Sequence, residues 1–205
     1  MIRSLLHPFF RARTPASHDI AEPAAQLPAT LVADLRTDHA GETGAVMIYR
    51  GIFATTRDAA LREFASQHLA TESRHLDAID AMLAPGQRSR LLPIWRVAGW
   101  LTGALPSLVG PRAVYVTIQA VETFVDEHYG QQVVTIDQLD PDQQQAPLQA
   151  LRALLAACQA DEVEHRDDAA ARLPDRPGAV PLVQRLWVRA VDLGSRAAVA
   201  VCRRI

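Results

Sequence analysis

Residues 161–167 read DEVEHRD, which sets Glu162 three positions before His165. On a helix that spacing puts both side chains on one face, a turn apart, where they can reach a common point. The same step recurs upstream in ESRH, residues 72–75, between Glu72 and His75. One such pair is a weak signal in a chain with eight glutamates and seven histidines, whereas two in helical contexts form a pattern.

Working outward, each pair is preceded by an isolated glutamate in apolar surroundings: AGETGAV about Glu42 and AVETFV about Glu122. Tyr49 follows Glu42 by seven residues and Tyr129 follows Glu122 by seven, while Asp77 and Asp167 each fall two residues after a histidine. The chain therefore reads as two similar halves, for which duplication is the simplest cause.

Steps of three and four link Ala65, His68, Glu72, His75, Ile79 and Met82 in one stripe, and Leu151, Leu155, Cys158, Glu162, His165 and Ala169 in another. Leu35, Asp38, Glu42, Ala45 and Tyr49 share a face, as do Ile118, Glu122, Val125 and Tyr129. Four carboxylates and two imidazoles thus converge on one core. Buried without partners, four ionised carboxylates would cost more than a domain's net stability of about 5–15 kcal/mol, so the pattern calls for cations. Four oxygen and two nitrogen ligand groups suit two divalent metals bridged by carboxylates, the arrangement general to di-iron and di-manganese helical bundles. The competing reading, solvated helix charges, describes most single glutamates but not six positions on inward stripes.

Other polar residues carry less. His39 precedes Glu42 by three and either supports the site or is solvated, and His128 falls off the Glu122 face. Asp38 and Tyr129 are candidates to hydrogen-bond the ligands, or in the case of Tyr129 a structural core tyrosine. Glu63, Glu127 and Glu164 fit no inward stripe; Cys158 reads as a small apolar residue, and Cys202 carries no signal.

The rest of the 205-residue chain fits one all-α domain. Hydrophobic residues make up 49% and aromatics 5%, with ten glycines, which favours helix formers. A net charge of -2 gives no global positive field, so nucleic acid is not an expected partner. All 21 basic residues are arginine, a compositional bias that says little about function. Two distant cysteines signal neither a disulfide framework nor a thiolate metal site, and fit a reducing compartment.

Helices are predicted over 29–55, 58–82, 111–139, 147–173 and 182–204, with prolines and Gly86 as stops. Residues 1–28 carry arginines and four prolines and are expected to be a loosely held arm preceding a domain over 29–205. A mitochondrial presequence shares the acid-poor, arginine-bearing character, but Pro8 and Pro15 interrupt the helix it needs. Residues 91–110, LLPIWRVAGWLTGALPSLVG, hold one charge, Arg96, and two tryptophans. Three readings stay open for them: a helix in a membrane interface, a buried core helix, or a span, which Pro93, Pro106 and three glycines disfavour.

The motifs DHAGE (38–42), ESRH (72–75), AVETFVDEHY (120–129) and DEVEHRD (161–167), in that order, resemble the demethoxyubiquinone hydroxylase family of ubiquinone biosynthesis. The resemblance runs from about Leu31 to the end, departing at Thr123, Phe124 and Asp126. It implies a ferritin-like four-helix bundle with a di-iron core, an apolar crossover helix and a C-terminal helix. It also implies that Glu42, Glu72, His75, Glu122, Glu162 and His165 ligate two Fe ions per chain, with Mn ranking second. The implied reaction is O2-dependent hydroxylation of the ring of a polyprenyl demethoxyubiquinol. NADH or a separate reductase would supply electrons, at a membrane surface and alongside ubiquinone-biosynthesis partner proteins. The implied location is peripheral, on the cytoplasmic face of the bacterial cell membrane or, alternatively, at the mitochondrial inner membrane. A soluble ferritin-like ferroxidase or iron-binding protein is the rival reading.

Overall fold

The computed structural model describes residues 27–173 and 181–204. The arm expected over 1–28 lies outside these except for Leu27, which packs into the core, and Pro28, which precedes the first helix. The described residues form six α-helices: α1 (Ala29–Thr55), α2 (Ala59–Asp80), α3 (Leu92–Val109), α4 (Pro111–Leu139), α5 (Ala146–Ala171) and α6 (Leu182–Cys202). The fold is an all-α, ferritin-like bundle.

Local chemistry sets the boundaries. Asp58 caps α2 by accepting a hydrogen bond from the Leu61 amide at 2.8 Å. Gly110, at φ 134°, is the sole residue between α3 and α4, in a conformation that disfavours a side chain, and Pro111 then opens α4. Asp140 ends α4, its carboxylate accepting from the amides of Gln144 and Gln145 at 3.0 and 3.1 Å and from the Gln149 side chain at 2.7 Å.

Short connections make α1/α2 and α4/α5 antiparallel hairpins, and their apolar stripes meet in two clusters at opposite ends of the bundle. One joins Leu31 and Leu35 to Ile79, Ile136, Leu151 and Leu155. The other joins Tyr49 and Ile52 to Leu61, Phe64, Ile118 and Ala169. The charged residues of the four stripes occupy the layer between these caps.

The α3 helix runs against α1 at backbone contact distance. A Cβ placed on Gly103 would lie 1.9 Å from the Ile48 carbonyl oxygen, one on Gly99 2.3 Å from that of Gly44, and one on Gly51 2.2 Å from that of Trp100. The opposite face of α3 is exposed and apolar, through Ile94, Val97, Leu101, Leu105, Leu108 and Val109. Residues 91–110 are therefore not the buried core helix that was one expectation. No helix among the described residues is long and apolar enough to cross a membrane, which removes the spanning reading. The α6 helix adds Leu182, Val183, Leu186 and Leu193 to the exposed apolar surface. It is tied to α4 by the Trp187 indole on Thr117 at 3.0 Å, to α3 by the Trp95 indole on the Cys202 sulfur at 3.0 Å, and to α1 by Arg203 on Asp34 at 2.7 Å.

Candidate metal centre

Two groups of potential ligands lie between the apolar caps. Glu42, Glu72, His75 and Glu162 bring one ligand atom each to within 4.8 Å of one another, and so do Glu72, Glu122, Glu162 and His165. All six residues are buried. Glu72 and Glu162 belong to both groups, so α2 and α5 supply the shared pair, while α1 adds Glu42 to one group and α4 adds Glu122 to the other.

The histidines aim Nδ1 inward. His75 Nδ1 lies 3.1 Å from Glu162 Oε1 and 3.8 and 3.9 Å from Glu42 Oε2 and Glu72 Oε2. His165 Nδ1 lies 2.9 Å from Glu72 Oε1 and 3.3 Å from Glu162 Oε2, without hydrogen-bond alignment. Within the cluster Glu42 Oε2, both oxygens of Glu72, Glu162 Oε2 and His165 Nδ1 are buried with no hydrogen-bond partner. Buried polar atoms left unpaired cost free energy, which a cation held by either group of ligands would offset. The cluster can hold a metal ion.

Electrostatics follow from the crowding. Burial, and then the neighbouring Glu72 and Glu162 charges, push Glu42 well above the usual carboxylate range; burial with Glu162 and Glu72 does the same to Glu122. Glu72 is raised by burial and by Glu162. Burial also acts to raise Glu162, but its contacts with His165 and His75 outweigh that and hold it at about 2. Burial acts to lower both histidines, and here too the carboxylates win: His75 stands at about 11 through Asp161 and Glu162, His165 at about 11 through Glu162 and Glu72.

The tyrosines seven residues beyond the first and third glutamates are exchanged between the halves. Tyr49 on α1 donates to Glu122 Oε1 on α4 at 3.2 Å, and Tyr129 on α4 donates to Glu42 Oε1 on α1. Asp38 pairs with other residues than these six: it accepts from Gln132 Nε2 at 2.7 Å and from His128 Nε2 at 3.0 Å. His128, which the helical stripe leaves out, is thereby held over the same cavity as Glu42 and Glu122. Its signal is Asp38, which lies on a different helix and so is invisible to spacing. His39 is buried and pairs with Asp80 at 2.9 Å, facing a different cavity. The repeated Asp77 and Asp167 are exposed, and Asp167 pairs with Arg166. The carboxylates that do reach the imidazoles are Asp161, on His75 Nε2 at 3.0 Å, and Asp168, on His68 Nε2 at 3.0 Å.

A cavity of about 680 Å³ opens on the carboxylate side, reaching Glu42, Glu72, Glu122 and Glu162. Its walls are mostly apolar, with Ile48, Ile94, Trp95, Val121, Val125, Val191 and Val199 contributed by α1, α3, α4 and α6.

A helical bundle with a buried glutamate and histidine cluster able to hold a metal ion, reached by an apolar cavity, defines a bundle protein with room for an organic molecule beside that cluster. Residues 29–202 match the family described as Ubiquinone biosynthesis protein COQ7. The 3-demethoxyubiquinol 3-hydroxylase of Rhodospirillum rubrum is 33% identical over 174 residues, covering 83% of this chain and 76% of its own. The mitochondrial NADPH-dependent 3-demethoxyubiquinone 3-hydroxylase of Mus musculus is 28% identical with the same coverage, and that of Caenorhabditis elegans 25% identical over 96% of this chain and 100% of its own. The chain belongs to the COQ7 family and is a hydroxylase, an oxidoreductase of ubiquinone biosynthesis.

Proposed function

We propose that this chain hydroxylates the ring of a polyprenyl demethoxyubiquinol, with two irons held by Glu42, Glu72, His75, Glu122, Glu162 and His165. Two divalent ions would balance the four carboxylates, and the ligand groups left unpaired in the buried cluster are those that would hold them. When bound, the iron pair would supply the redox and Lewis-acid chemistry for activating O2, relaying electrons from an external reductant. The chain supplies the rest. Tyr49 and Tyr129 fix the orientation of Glu122 and Glu42 from behind. The apolar walls exclude water from the ring, and His128, held by Asp38, offers the ring oxygens a polar contact beside the carboxylates.

The observation that carries this reading is the apolar cavity that ends on the four glutamates. Storage of iron needs a polar route, whereas a quinol with an isoprenoid tail needs an apolar one. The exposed apolar residues of α3 and α6 flank the cavity and suit a peripheral position on a membrane, from which the tail enters. That membrane is the cytoplasmic face of a bacterial cell membrane or the mitochondrial inner membrane. A reduced nicotinamide nucleotide, NADH or NADPH, is the source of electrons.

Iron-loaded protein given a short-tailed demethoxyubiquinol, a reductant and ¹⁸O2 is expected to release a quinol carrying one labelled ring hydroxyl, read by mass spectrometry. Iron oxidation with an untouched ring would overturn the proposal in favour of a ferroxidase.

A further inference from the structure

Resting on that metal-centre reading, we infer that the two metal subsites are unequal, Asp161 making the His75 subsite the tighter and the first to fill. Most of the centre is matched between its halves. Glu72 and Glu162 are shared, Glu42 is backed by Tyr129, and Glu122 is backed by Tyr49. The halves part company at the outer nitrogen of the histidines.

Both imidazoles present Nδ1 to the carboxylates, which leaves Nε2 as the outer nitrogen. His75 Nε2 donates to Asp161 Oδ2 at 3.0 Å. A carboxylate there fixes the proton on Nε2, frees the Nδ1 lone pair for a metal and raises its basicity. For His165 no carboxylate meets the outer nitrogen among the described residues. Its ring packs edge-on against His68, centroids 4.2 Å apart at 82°, and the His68 Nε2 is committed to Asp168. The sequence explains the difference. Asp161 immediately precedes Glu162, and the residue in the corresponding place before Glu72 is Thr71, whose hydroxyl accepts from Arg74 Nη2 at 3.0 Å. At this position the two similar halves differ, one holding a charged partner and the other a neutral one. Asp161 is thus a positioning residue that acts through His75.

The test is an anaerobic calorimetric titration of the full-length metal-free chain with Fe(II). The wild type is expected to bind in two steps at least about 10-fold apart. Asp161→Asn should weaken the tighter step by about 10- to 100-fold and leave the weaker one in place. Thr71→Asp should tighten the weaker step, a gain that a merely structural role for these positions does not produce. His165→Ala should retain the tight step and His75→Ala should lose it. Equal steps in the wild type, Asp161→Asn weakening both steps alike or neither, or a tight step that survives His75→Ala, would each overturn the ranking. Two bound but unranked ions would sink this inference alone, whereas no bound iron in any variant would sink the metal-centre reading with it.

Discussion

Alanine at Gly103 should lever α3 away from α1. Its Cβ would sit 1.9 Å from the Ile48 carbonyl oxygen and 2.7 Å from the carbonyl carbon, where ordinary contact begins at 3.4 Å. The difference, 3.4 − 1.9, means that two backbones must part by about 1.5 Å at that point. Rigid backbone lies on both sides, so no flexible side chain can yield. Overpacking of this kind costs about 1–3 kcal/mol, which for a chain of this size lowers Tm by about 2–12 °C. Alanine is the better helix former by about 0.5–1 kcal/mol, so any loss reports the clash and not propensity. Gly194→Ala is the control for stability alone, since Gly194 also lines the cavity: it is mid-helix, its Cβ would meet nothing within 4 Å, and it should stabilise. The ligand residues sit on α1, α2, α4 and α5, so iron content should hold while the quinol KM rises, because Trp95, Gly99 and Thr102 of α3 line the cavity. Thermal melts by circular dichroism, iron analysis and turnover on one preparation measure all three. An unchanged Tm and KM in Gly103→Ala would show that α3 is not seated on α1 through glycine.

Further outcomes concern the charged layer. His75 and His165 stand at about 11 in the folded metal-free chain against an ordinary 6.5, so their charged forms stabilise it fully below pH about 6.5 and this is lost as pH rises toward 11. Raised Glu42, Glu72 and Glu122 act in the same direction from their ordinary 4.5 upward, while Glu162 at about 2 gives stability that is lost only in stronger acid. Metal-free protein should therefore lose Tm between pH 6.5 and 9, whereas iron-loaded protein should not, since metal displaces those protons; parallel curves by scanning fluorimetry would contradict this. Tyr129→Phe strips the donor from buried Glu42 and should destabilise metal-free protein by about 1–3 kcal/mol in urea. Glu122→Gln replaces a buried carboxylate with a neutral isostere, so metal-free Tm should rise, by about 1 kcal/mol or more in stability, while iron content falls.

The helices and the six inward residues were legible because both follow from spacing along a single helix. Helix α4 begins at Pro111 and ends before Asp140 as its stop signals require, and the stripes through Glu72 and Glu162 are buried throughout. What spacing could not give is who faces whom. Tyr49 lies on the stripe of Glu42 yet serves Glu122, because a tyrosine two turns along its own helix reaches across the pseudo-symmetric centre. His128 looks misplaced on α4 until Asp38 of α1 is set against it. Asp77 and Asp167 repeat in sequence but point to solvent, while Asp161, unrepeated, meets His75. Residues 91–110 kept three readings open because one face is apolar for packing on α1 and the other is apolar and exposed.

Iron stoichiometry with Mössbauer spectroscopy of ⁵⁷Fe-loaded protein tests the centre most directly. The proposed six-ligand centre predicts about two irons per chain, spin-coupled to a diamagnetic ground state when both are ferric. A single magnetically isolated iron, or none, would contradict the shared-carboxylate cluster.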